Sequence, residues 1–357
     1  MDKLMNMGLY ASQFIEMWNE NLILVSYVSN QIYIIDPKEH VISDVISING
    51  TGHESTQYRS FCCYNNFLFL FPYNAQDIIK VDLISKKQFV IRENITIKSK
   101  DVDRKFYRVI RYNDIAYVLG EAVNIIMKVD LENDNCIGLY SYDSDQDIYW
   151  SSSYVIYGDV IYVPCRTRNA ALCINIKTDS VLYKDISTNG GNGGFLDIYE
   201  EDQIIHLFDE IGNEYLWNPE ESKAIYEKGN KDNIYTSRQC VKYKNKIFRI
   251  ALHEDLVLCR EGKNSFNIIQ SNIVQKNVPS NGSRFQEGIQ HGQFYYFQSR
   301  NGIIYMIDME QNIIEEVWIK KDSKALESRK EYFISYAKRD ILKESEEYDL
   351  TDLIEFV

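Results

Sequence analysis

Seven times along the chain a bulky residue, mostly Tyr or Trp, stands just before a tight-turn sequence. The positions are Trp18, Tyr64, Tyr112, Tyr157, Tyr199, Tyr243 and Gln290, with gaps of 46, 48, 45, 42, 44 and 47 residues. A period near 45 belongs to stacked or radial repeat proteins. A second series keeps step with it. Asp36, Asp82, Asp130, Asn175, Asn218, Arg260 and Asp308 close an apolar segment in each copy, at gaps of 46, 48, 45, 43, 42 and 48. The copies around Asn218 and Arg260 are the least regular.

Within a copy the residues fall into four short pieces. Residues 284–320 read RFQEGIQHG, QFYYFQSR, NGIIYMIDMEQ and NIIEEVWIK. Each piece is apolar or alternating and is bounded by Gly, Asn, Asp or Gln, which predicts four antiparallel strands joined by turns. Copies at 57–93 and 105–140 do the same. Four strands repeated every 45 residues predict an all-β, seven-bladed β-propeller of four-stranded antiparallel blades. In that arrangement each sheet covers its neighbours, so central strands are apolar on both faces, as in LILV at 22–25, FLFLF at 67–71 and VIYV at 160–163. No copy carries a period of 3.6 over ten residues, which excludes a helical solenoid. The propeller is expected over 1–320. Residues 321–357 place Leu326, Phe333, Ala337 and Ile341 at helical spacing and predict an amphipathic helical tail, either packed on the propeller or docking a partner.

The segment Tyr27-Val28-Ser29-Asn30, then Ile34-Ile35-Asp36-Pro37, then Val41-Ile42 resembles the YVTN class of propeller repeat, with Ser29 in place of Thr. Tyr117-Val118 with Val129-Asp130, and Tyr296-Phe297 with Ile307-Asp308, resemble it in part. The resemblance implies the fold over about 300 residues. It implies no catalytic residues, because such propellers host unrelated functions.

Bulk properties narrow the function. The net charge of −13 disfavours nucleic acid and anionic membrane as partners. The N-terminus lacks the apolar core of a signal peptide, and no run of about 18 apolar residues is present. Seven cysteines, an odd number with no CxxC pair, suit a reducing cytoplasm better than a disulfide framework or zinc site. No cofactor motif is present, and none is expected.

In a propeller the segments leading into the innermost strands cluster with the second-to-third-strand loops at one mouth of the central channel, where function collects. The repeat register sends Tyr58, Arg59, Lys105, Arg108, Trp150, Ser151, 192–195, Arg238 and Arg284 there, together with Arg166, Arg168, Glu210, His253, Glu254 and Arg300. Seven of these are Arg, whose forked donors suit carboxylate or phosphate. Two readings stay open: a cationic funnel for an anionic small molecule or acidic peptide, or guanidiniums paired with nearby carboxylates and laid over Tyr rings.

Other candidates are thinner. Asp143, Asp145 and Asp147 alternate as Ca²⁺ ligands do, but the turn Gly and the closing Glu of a calcium loop are missing. The loop Asn189–Gly194 leads into a strand rather than a helix, which removes the usual phosphate cradle. The five histidines share no metal spacing, although His53 and His253 can meet at the mouth. Ser151-Ser152-Ser153 lacks a nucleophile elbow. The expected function is a non-catalytic binding or scaffold protein that takes a protein or peptide partner, or an anionic ligand, at the mouth. The alternatives are a lactonase, lyase or sugar-processing enzyme there, and a carbohydrate-binding module using Tyr58, Tyr107, Trp150 and Tyr235.

Overall fold

The computed structural model describes residues 12–26, 30–49, 57–91, 104–121, 125–141, 148–189, 193–227, 237–251, 256–262, 266–269, 285–299, 302–317 and 319. They form seven antiparallel sheets of four successive strands, one of which gains a short fifth. Blade 1 contains Ile15–Trp18, Asn21–Val25, Gln31–Asp36 and Val41–Ser47; blades 2 to 7 span 58–91, 106–141, 155–185, 197–227, 237–269 and 289–317. The fifth strand, Ser187–Thr188, runs parallel to the outer strand of blade 5 as the chain passes from blade 4. The expected all-β seven-bladed propeller is the observed fold. The predicted helical tail, 321–357, lies outside the described residues, among which no helix is long and apolar enough to cross a membrane.

Each blade opens with a two-residue hairpin whose first loop residue is left-handed: Asn19, Asn65, Asn113, Gly158, Asp202, Lys244 and Gly292, with φ between 46° and 60°. Such turns match the twist of the flanking strands, and Asn, Asp and Gly adopt them at little cost. The hairpins are closed by Trp18, Tyr64, Tyr112, Tyr157, Glu201, Tyr243 and His291. In blades 5 and 7 the closing residues are therefore Glu201 and His291, not Tyr199 and Gln290.

The acidic series has a separate cause. Asp36 Oδ1 accepts from the backbone N–H groups of Lys38 and Glu39 at 2.9 and 3.0 Å, folding the turn between the third and fourth strands. Asp82, Asp130, Asn175 and Asp308 repeat that geometry, and Asn218 accepts from Glu220. These are Asx-turns. In blade 6 the corresponding residue is Glu261, which pairs with Lys246, so Arg260 stands one position inside the strand.

The first strands of blades 1 and 2, 2 and 3, 4 and 5, and 5 and 6 lie side by side, and that of blade 7 meets that of blade 1. Every blade is built from one continuous stretch of chain. The joint between blades 7 and 1 is closed by Ile15, Leu22 and Tyr33 against Tyr296, Ile304 and Val317, with Ser12 N donating to Gln298 Oε1 at 2.8 Å. Among the described residues six of the seven joints hold nine or more buried apolar residues each. Among the described residues the joint between blades 5 and 6 buries Tyr199, Phe208 and Ile247, with Cys240 and Phe266 partly buried against them.

Candidate functional site: a plugged channel mouth and a polar joint

Backbone hydrogen bonds tie the lead-in segments to the loops after the second strands. Lys105 N donates to Tyr73 O, Glu121 N to Lys105 O, and Phe195 N to Cys165 O. Both sets of segments thus occupy one end of the propeller, as the register requires. The channel beneath is filled. Arg108 reaches from blade 3 to the segment before blade 7, pairing through Nη1 with Glu287 Oε2 at 2.7 Å, and Glu287 is 1% exposed. The guanidinium lies 4.6 Å from the Phe14 ring and 5.2 Å from that of Tyr154. Burial alone would depress the Arg108 pKa; Glu287, with Tyr154, Tyr107 and Glu16, more than reverses this and raises it. Lower in the channel, burial pushes the Glu16 carboxyl up to about 7, with Arg111, Arg108 and the Cys63 backbone pulling partly the other way.

Above this plug the side chains form a strip over blades 2 to 4. Arg59 donates through Nη2 and Nε to Gln13 Oε1 at 3.0 and 3.2 Å, and through Nη1 to the Tyr73 hydroxyl at 2.8 Å. Glu121 is 3.6 Å away, and the Tyr73 ring packs under the guanidinium. Arg104 is close enough to bear on Tyr73, and Arg166 on Tyr107. Both are exposed, and among the described residues neither makes an ion pair. Gly194 supports this rim: its φ is +79°, and a Cβ there would sit 2.4 Å from the Arg166 carbonyl oxygen.

The structure therefore brings Arg59, Arg108 and Arg166 to one mouth, two of them already engaged with carboxylates and rings. Arg168 is half-buried in the same loop as Arg166 and near Tyr183. Arg238 belongs to the strand Ser237–Tyr243. Arg284, Arg300, His53, His253, Glu254, Tyr235 and the carboxylates Asp143, Asp145 and Asp147 lie outside the described residues. Trp150 is 3% exposed, edge-on to Tyr183 within the joint of blades 3 and 4, so it offers no face for a sugar. Tyr58 is also buried, and the Tyr107 hydroxyl donates to the carbonyls of Trp150 and Ser151, both at 2.6 Å.

Sequence reasoning missed a second constellation, in the joint of blades 5 and 6. The Tyr199 hydroxyl donates to Glu214 Oε1 at 2.9 Å, and His206 Nδ1 meets the same oxygen at 2.6 Å. Tyr199 and His206 stack with centroids 4.3 Å apart. Arg260 donates to the Tyr199 hydroxyl, pairs with Glu201 Oε2 at 2.7 Å, and lies 3.6 Å from Glu214 Oε1. Arg249 covers the Phe208 ring at 3.8 Å. Burial raises the Glu214 pKa, but His206, Arg260 and Tyr199 together hold it below the usual carboxylate value. Burial, with the charge of Glu214, drives the Tyr199 hydroxyl far up.

The repeat register shows how unusual these residues are. Glu214 occupies the slot held elsewhere by Ile32, Ile78, Ile126, Ala171, Val257 and Ile304. Arg260 occupies that of Ile35, Val81, Val129, Ile174, Trp217 and Ile307. Charged groups in otherwise apolar slots are costly and so mark function or specificity. The irregularity of the copies around Asn218 and Arg260 was the available sequence signal.

No family model matches this sequence, nor does any curated protein. Solved structures are similar in fold. PorZ, a bacterial surface component of the type-IX secretion system of Porphyromonas gingivalis, aligns with a TM-score of 0.56 at 10% identity, over 89% of this chain and 39% of that one. U3-55K aligns at 0.56 and 10%, over 81% and 88%. BamB from Moraxella catarrhalis aligns at 0.52 and 9%, over 83% and 84%. At these identities the likeness concerns the propeller fold alone.

Proposed function

We propose that this protein is a non-catalytic propeller binding module whose mouth takes an acidic segment of a protein partner. The observation that carries the reading is the group of Arg59, Arg104 and Arg166 at the mouth. Arg104 and Arg166 are exposed and without ion pairs among the described residues, while Arg59 is held in place by Gln13 and Tyr73. Orientation fixed in advance lowers the entropy lost when a guanidinium forms a forked bond to carboxylate. The Arg108–Glu287 plug favours a ligand lying across the mouth over one entering a deep cavity. The net charge of −13 repels acidic peptides from the rest of the surface, so attraction has to be local.

The reading extends to the repeat class and the compartment. YVTN-type repeats fit the Asp36 turn, and seven unpaired cysteines, four of them buried, fit a reducing cytoplasm. The test is fluorescence anisotropy with a labelled oligoglutamate peptide, with inorganic phosphate as competitor. Saturable binding that weakens at least tenfold in Arg104→Glu/Arg166→Glu and falls with salt is the expected result. Displacement by phosphate at low concentration would shift the ligand class to anionic small molecules. No binding, or binding indifferent to the double reversal, would remove the mouth as the binding surface.

A further inference from the structure

The polar joint of blades 5 and 6 contains a donor set that the ion-pair network does not explain. Three consecutive strands of blade 5 each present one metal-ligating side chain on the same face: His206, Glu214 and Glu227. One ligand atom from each lies within 4.8 Å of the others. His206 stands where the other blades place Ile23, Phe69, Tyr117, Tyr162, Phe248 and Tyr296. Adding Glu214 and Glu227 makes three departures in adjacent strands, all meeting at one point.

Charge also leaves room for a cation. Arg260 is committed to Glu201 at 2.7 Å and stands 3.6 Å from Glu214. Glu227 is exposed and has no cationic partner among the described residues. Two carboxylates around an imidazole match the charge of a divalent ion, and exposed Glu227 supplies the route in. The Tyr199 hydroxyl and Arg260 both meet Glu214 Oε1 and steady the carboxylate, as outer-shell partners do at metal centres.

We propose that His206, Glu214 and Glu227 form a site for a first-row divalent transition cation, of which zinc is the representative. An imidazole nitrogen beside two carboxylates favours such ions over Ca²⁺ and Mg²⁺, which prefer all-oxygen sites. The ion takes the place of the contact between His206 Nδ1 and Glu214 Oε1, so the imidazole nitrogen presents its lone pair to the metal. Three protein ligands leave positions open for water.

The test uses the full-length chain stripped with chelator and titrated with Co²⁺ by visible absorption and with Zn²⁺ by calorimetry. The expected result is one equivalent bound, Co²⁺ bands without thiolate charge transfer, and no heat with Ca²⁺. Glu227→Gln should weaken binding at least tenfold while leaving the urea midpoint of the metal-free chain unchanged, because among the described residues the exposed Glu227 side chain makes no ion pair or hydrogen bond. His206→Ala should abolish binding; if that variant does not fold, Glu227→Gln decides alone. Absence of stoichiometric binding, thiolate bands, or affinity unchanged in Glu227→Gln would each overturn the assignment.

Discussion

Arg108→Met tests whether the channel plug holds the ring together. The substitution keeps most of the stem volume and removes the guanidinium. It leaves the Glu287 carboxylate, 1% exposed, without the cation 2.7 Å away. Breaking a buried pair from one side costs about 3–5 kcal/mol, and loss of the contacts with Phe14 and Tyr154 adds about 1 kcal/mol. The total, about 4–6 kcal/mol, rivals the whole stability of many domains. Glu287→Gln should cost about 3 kcal/mol, since it leaves the guanidinium buried. In the double variant neither member of this pair faces the loss of the other, so its cost should fall well below the sum, with a coupling of about 2–3 kcal/mol. Urea unfolding followed by both circular dichroism and Trp fluorescence gives each value. A cost below about 1 kcal/mol for Arg108→Met, or single costs that add to within about 0.5 kcal/mol, would show that the cross-channel pair does not hold the blades.

Two further outcomes follow from the titrating groups. Glu16 has a folded-state pKa raised to about 7, so its contribution favours the fold in acid and is lost as pH rises from the ordinary carboxylate range through 7. Glu16→Gln should flatten that slope and add stability at pH 8, by up to about 3 kcal/mol, read from urea midpoints between pH 5 and 8. Asp130 is the opposite case. Hydrogen bonds from the Asn133 side chain and backbone, outweighing burial, hold its carboxyl low, so its support is present at neutral pH and lost in acid below the normal Asp value. Asp130→Ala should cost about 1 kcal/mol at pH 7 and much less at pH 3.

The repeat was legible because it rests on backbone needs that few residues meet. A left-handed residue is wanted at Asn19, Asn65, Asn113 and their counterparts, and an N–H acceptor at Asp36, Asp82 and Asp130. Of the three places where the register misled, two have one cause, the third being the one-residue offset of Gln290 from His291. Tyr199 and Arg260 look like turn-flanking residues, yet both turn inward to the same buried network, one or two positions from the turns they seemed to mark. The mouth was less legible. Arg59 and Arg108 lie at the right end, but their partners come from three other segments, Gln13, Glu121 and Glu287, far away in sequence. Trp150 belongs to a lead-in segment that pairs with Cys165, and that bridge draws its ring into the core. Sidedness at that scale depends on single-residue register, which periodicity does not supply.

The self-contained blades have a topological consequence. Among the described residues no strand is exchanged across the seam of blades 7 and 1, which is packed between two complete sheets as the other apolar joints are. A circular permutant that begins at blade 4 and joins blade 7 to blade 1 through a linker would keep every sheet intact. What it would change is assembly order: Arg108 emerges 179 residues before Glu287 in the natural chain, and permutation alters which half of the plug waits for the other.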